Sequence, residues 1–196
     1  MFRRALAIRS PSSTRPRRLP VTSRPMPGLS RFNTLQENAA AATLHEVCAS
    51  SAWGSKLLAQ RPFETTEELF AASDAAMAEL GAEDLAEAMA GHPPIGRPKP
   101  GDPTSSREQR GMAGASEELK AEMLELNLAY QERFGHVFLI CATGATGEQM
   151  RDAMKARIGN DTGTEREIVR TELGKINRIR LTRLAEEDVE VEEDKD

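Results

Sequence analysis

From residue 36 onward the apolar side chains recur at the 3.6-residue period of an α-helix, which leaves little room for any fold but a helical one. Ala40, Leu44, Val47 and Cys48 follow that spacing, as do Leu69, Phe70, Ala76, Met77 and Leu80, then Leu119, Met123, Leu126 and Tyr130. The single run that reads as a strand, residues 137–142, has no second strand to pair with and is expected to be a buried extended segment. Composition points the same way. Aromatics are 4% of the chain, and the abundant Ala, Leu and Glu lose little rotamer freedom in a helix. The expected fold class is all-α: a compact single-domain bundle of about seven or eight helices.

Punctuation residues divide the chain. Helices are expected over residues 36–50 and 53–60, with Pro62 stopping the second. Thr65 and Glu68 form a capping box at the next start, since a hydroxyl and a carboxylate three residues apart satisfy orphan amides. Gly81 is expected to end that helix, and a short one follows over 83–90. Residues 97–104, Arg-Pro-Lys-Pro-Gly-Asp-Pro-Thr, are expected to be loop. Helix resumes at Ser105 or Ser106, then over 116–134, 147–158 and 164–186.

The two ends differ from the middle. Residues 1–28 are rich in Arg, Pro and Ser, and no acidic residue precedes Glu37. They are expected to be a disordered extension, either transit-like or a mis-assigned start ahead of Met26. Residues 29–186 form the expected domain, and residues 187–196 an acidic disordered tail. A cytoplasmic location is expected.

The net charge of −5 argues against a nucleic-acid partner. No apolar run approaches the ~20 residues of a membrane span. Cys48 and Cys141 lie far apart in apolar surroundings without metal-ligand spacing, so both read as reduced core residues and no metal site is expected.

Three polar features look out of place. Val169, Leu173, Ile176 and Leu184 form one helical stripe, and Arg180 falls inside it. A core-facing guanidinium requires an answering anion, either a planar ligand group suited to its fork or a buried glutamate of the protein itself, unless the side chain snorkels outward to solvent. His92 precedes Pro93-Pro94, which hold it out of the helical region on a rigid corner; it reads either as an exposed loop histidine or as a proton carrier near neutral pH. Finally, Ser105, Glu108 and Gln109 share one helical face. They either close a capping box or offer a hydroxyl, a carboxylate and an amide to a small polyamide ligand.

Together these residues resemble the 2-oxo-4-hydroxy-4-carboxy-5-ureidoimidazoline (OHCU) decarboxylases over roughly residues 29–184. The resemblance is carried by Phe32-Asn33, Gln60-Arg61-Pro62-Phe63, His92-Pro93 with Ile95-Gly96, and Ser105-x-x-Glu108-Gln109. It continues through Leu126-Asn127-x-x-Tyr130-x-x-Arg133-Phe134-Gly135 to Ile179-Arg180-Leu181. Pro94 departs from the Arg or Asp more usual there. The resemblance implies decarboxylation of OHCU to (S)-allantoin in urate degradation, without a cofactor, by a homodimer acting on a small ureidoimidazoline. It implies His92, Glu108 and Arg180 as catalytic residues, with Pro93, Ser105, Ser106, Arg107 and Gln109 contacting substrate. Phe138, Leu139, Ile140, Cys141 and Ala142 would add contacts, through backbone groups. The competing expectation is a helical protein-interaction module without activity, in which His92, Glu108 and Arg180 would not converge on a cavity.

Overall fold

A computed structural model describes residues 27–186; the expectations for the Arg-rich extension before residue 27 and for the acidic tail lie outside them. Nine α-helices and one 3-10 turn are present among the described residues, with no strand. The helices are α1 (Pro27–Thr34), α2 (Glu37–Val47), α3 (Ser51–Leu58), α4 (Thr66–Ala78) and α5 (Ala82–Ala90). After α6 (Pro103–Glu108) and the 3-10 turn Arg110–Met112 come α7 (Glu117–Phe134), α8 (Gly147–Arg157) and α9 (Thr162–Glu186). No described helix is long and apolar enough to cross a membrane.

The all-α reading holds, with one helix more than expected. Helix α1 starts ahead of residue 29 and is too short to show a period, yet it buries Leu29 and Phe32 completely. Its approach to α9 depends on Gly28, where a Cβ would stand 2.1 Å from the Leu184 carbonyl oxygen. Only a residue without a side chain lets the two backbones meet so closely.

Local chemistry explains most helix starts. The Ser50 hydroxyl accepts from Trp53 N–H, Thr65 from Glu68 N–H and Ser116 from Leu119 N–H, each satisfying an amide with no intrahelical partner. The capping box at α4 is displaced by one residue, because the Glu68 carboxylate accepts from Glu64 N–H rather than from Thr65. Gly81 does not end α4. It is the N-cap of α5, its N–H held by the Asp84 carboxylate at 2.9 Å. The expected loop over 97–104 ends early: Asp102 caps α6, accepting from Thr104 and Ser105 N–H. Pro103 then opens the helix at the position where its missing N–H costs nothing. The Ser105–Glu108 capping box therefore does not form.

The core divides into two clusters. One gathers α1 to α5 around α9, with Phe32, Leu44, Trp53, Leu57, Leu69, Leu85 and Leu173 fully enclosed. The other joins α7 and α8 through Met123, Tyr130, Phe138, Met150 and Met154. Residues 137–142 run between them in neither helix nor strand, contributing Leu139 to the first cluster and Phe138 to the second. Cys48 is buried as expected, whereas Cys141 is only half-buried.

Candidate active site

His92 stands two residues past the end of α5. Its N–H still donates to the Met89 carbonyl at 2.9 Å, and the two prolines after it prevent the helix from continuing. The following turn is fastened from outside. The Gln109 side-chain oxygen accepts from Gly96 N–H at 2.8 Å, and its amide nitrogen donates to the Pro94 carbonyl at 3.2 Å. Asn127 of α7 donates to the Ile95 carbonyl at 2.9 Å. Gln109 is thus buried with its amide engaged by the protein, and its work is to hold the corner that carries His92.

Glu108 closes α6 from the buried face. Arg180 of α9 meets it as a fork: Nε donates to Oε1 at 2.8 Å and Nη2 to Oε2 at 2.9 Å. The remaining terminal nitrogen, Nη1, donates to the Val47 carbonyl at 2.9 Å. Arg183 approaches the same carboxylate at 4.0 Å. Of the sequence readings of Arg180, the structure shows the one in which a buried glutamate answers it. This bidentate geometry is the strong, directional form of the ion pair. Each Glu108 oxygen accepts only one of the two fork bonds, which leaves acceptor capacity for a further donor.

Two adjoining cavities share His92. The inner one, about 20 Å³, is lined by His92, Pro93, Ser105, Glu108 and Gln109 on one side. Leu139, Ile140, Ala142, Thr143 and Ile176 form the other. The outer one, about 430 Å³, opens along Lys99–Thr104 and is walled by His45, His92 and Arg180. Convergence of the three expected catalytic residues is therefore direct for His92 and Glu108. Arg180 faces the outer cavity and reaches the inner one through Glu108.

Not every expected contact residue lies here. Ser106 and Arg107 are exposed on the far side of α6 and line neither cavity, because a helix turns them away from the face that carries Ser105, Glu108 and Gln109. The Ser106 hydroxyl donates to the Asp102 carbonyl instead. Phe138 and Cys141 are also absent from the lining: the Phe138 ring packs beneath Arg157, and Cys141 N–H is held by Glu172. Sequence reasoning passed over Thr143 and Ile176. Ile176 was already on the apolar stripe one turn before Arg180, whereas nothing in the sequence marked Thr143, which is placed by the turn at Gly144 (φ +83°).

The electrostatics separate two roles. Burial first, and the nearby Arg180 charge second, push the His92 imidazole down from 6.5 to about 4, against an opposing pull from Glu108. At neutral pH it is an uncharged ring able to accept a proton. No hydrogen bond to its ring is made among the described residues, so both ring nitrogens are open to a ligand. The thiols do not compete as nucleophiles, since burial raises both Cys48 and Cys141 and a thiol reacts as its thiolate. No group of His, Cys, Asp and Glu able to hold a metal ion is present among the described residues.

Known proteins resemble this chain in sequence and in fold. The Arabidopsis thaliana uric acid degradation bifunctional protein TTL is 31% identical over 144 residues, covering 70% of this chain and 44% of that protein. The Bacillus subtilis bifunctional protein PucL is 28% identical, covering 71% and 29%. The chain thus spans less than half the length of either. The OHCU decarboxylase of Haloferax volcanii is 26% identical, covering 81% and 94%. A solved OHCU decarboxylase, crystallised in the presence of (S)-allantoin, superposes with TM-score 0.68 at 27% identity, covering 78% of this chain and all of that one. A solved (S)-allantoin synthase matches in fold, with TM-score 0.61 at 18% identity. The family model for OHCU decarboxylase matches residues 33–182, and the chain belongs to that family.

Proposed function

We propose that this protein decarboxylates 2-oxo-4-hydroxy-4-carboxy-5-ureidoimidazoline to (S)-allantoin and carbon dioxide. The observation that carries the reading is the neutral His92 imidazole beside the Glu108–Arg180 pair at the join of the two cavities. The substrate ring carries a carboxylate, a hydroxyl and a ureido group. Loss of carbon dioxide breaks a carbon–carbon bond and sends its electron pair into the ring C=N, which becomes part of an enolate-like system. The ring is thus its own electron sink, and the proposed reaction needs no cofactor to supply one.

Protons must then move. The neutral imidazole of His92 takes the hydroxyl proton as general base, and the hydroxyl carbon becomes the ring carbonyl. The resulting imidazolium, disfavoured by burial and by Arg180, returns that proton to the neighbouring ring carbon, and water supplies the proton for the ring nitrogen. Delivery from one fixed side chain sets the hand of the product. A positioned acid–base group of this kind contributes about 10²–10⁴-fold in rate. Glu108, neutralised by Arg180, keeps acceptor capacity for ureido N–H groups. Arg180 thereby holds the carboxylate in place and keeps the imidazole neutral, rather than gripping the substrate directly.

The test is allantoin formation from freshly oxidised urate, followed by circular dichroism. The expected result is accumulation of one enantiomer faster than the spontaneous reaction. A racemic product formed at the uncatalysed rate would overturn the proposal and favour an inactive interaction module.

A further inference from the structure

Residues 137–142 cross the core without a neighbouring strand, so their peptide groups need partners from elsewhere. The Ala142 carbonyl accepts from Ala145 N–H, and two side chains serve Leu139 and Cys141. Arg157, the last residue of α8, donates from Nη1 to the Leu139 carbonyl at 2.9 Å. Glu172 of α9 accepts from Cys141 N–H through Oε2 at 2.8 Å. Both are themselves braced. Glu165, fully buried, accepts from Arg157 Nε at 3.0 Å and from the Tyr130 hydroxyl at 2.5 Å, while Asn160 donates to its other oxygen at 2.9 Å. Lys175 holds the second oxygen of Glu172 at 2.6 Å.

Between the two clamped residues lies Ile140. It lines the inner cavity, and among the described residues its N–H and C=O make no hydrogen bond. A donor and an acceptor left open on a cavity wall match the paired N–H and C=O of a ureido or cyclic amide group.

We propose that Arg157 and Glu172 are positioning residues. They act as a substitute for a missing neighbouring strand, clamping the peptides on either side of Ile140 so that its N–H and C=O face an amide-bearing ligand. Neither side chain lines the inner cavity, so each acts on binding through the backbone. The inference rests on the proposed reaction for its substrate, but not for its test.

The test compares wild type with Glu172→Ala, Glu172→Gln and Arg157→Met. One arm is turnover of substrate generated from urate. The other is titration with (S)-allantoin, followed at the Ile140 amide by ¹H–¹⁵N spectroscopy. Glu172→Ala should raise KM and weaken allantoin binding about tenfold, or about 1.4 kcal/mol, with kcat changed less than about threefold. Glu172→Gln should recover most of that loss, because its amide oxygen still accepts from Cys141 N–H. Arg157→Met leaves Glu165 without its cation and is the variant at risk of unfolding; the Glu172 pair decides the matter alone if it does. Unchanged KM and unchanged titration of Ile140 in Glu172→Ala would overturn the clamp. A wild-type protein that binds allantoin without turnover would overturn the proposed reaction instead, and the titration would still decide the clamp; a wild type that neither turns over nor binds allantoin at Ile140 would overturn both.

Discussion

The acidic limb of the pH–rate profile is the sharpest consequence of the site. A His92 base with its ordinary value of 6.5 would be about 3% neutral at pH 5, whereas one held near 4 is about 90% neutral there. That is a contrast of about thirtyfold in available base, read as kcat/KM at pH 5 relative to its plateau. Wild type should therefore keep nearly full kcat/KM down to pH 5 and lose it with a midpoint near 4. Arg180 is the second cause of the low value and Glu108 opposes it. In Arg180→Met the opposing pull remains, so the midpoint should move up, toward neutral pH. The assay is the initial rate of optically active allantoin formation in buffers from about pH 3 to 8, with the racemic background subtracted. A wild-type midpoint near 6.5, or a downward move in Arg180→Met, would refute the assignment of the base.

Four further outcomes follow from the same geometry. His92→Asn should keep the fold but lose about 10²–10⁴-fold in rate, its residual product approaching a racemate; a single enantiomer at wild-type turnover would pass the role to Glu108. Because His92 titrates near 6.5 unfolded and near 4 folded, the unfolded chain binds more protons between those values. Stability should therefore fall on acidification through that window, and His92→Asn should lack that part of the fall in thermal melts. Arg180→Met strands the Glu108 carboxylate, and breaking a buried pair costs about 3 kcal/mol, or about 6–12 °C in Tm for a domain of this size. Gly28→Ala must push α1 off α9, since a Cβ would stand 2.1 Å from the Leu184 carbonyl; overpacking of about 1–3 kcal/mol should appear as a lower denaturation midpoint.

Much of the helical framework was legible in the sequence because its causes are local. A serine or threonine at an N-cap meets amides two or three residues away, and apolar residues at the helical period define a face whatever lies opposite. The Ser105–Glu108–Gln109 face and the proline-held corner at His92 were visible for the same reason. Helix α1 was not, because eight residues are too few to show a period and its stability comes from burying Leu29 and Phe32 against α9. The start of α6 was hidden by a proline-rich stretch in which Asp102-Pro103 is a helix opening rather than a continuation of loop.

What tertiary structure alone decided is which polar group answers which. The sequence marked Arg180 as a cation on an apolar stripe but left its anion open. The partner is Glu108, 72 residues earlier, and only the packing of α6 against α9 brings the two together. The Gln109 side chain read as a ligand contact, and the fold sets it in the wall of the inner cavity while also closing its amide on the Pro94–Gly96 turn. Residues 137–142 read as a buried extended segment without a named partner, and the fold supplies Arg157 and Glu172 in place of a sheet. The physical reason is common to all three. Helix propensity, caps and periodicity act over a few residues and can be read in order along the chain. Hydrogen-bond satisfaction of buried polar groups is an accounting over the whole folded interior, and it closes only when every distant partner is in place.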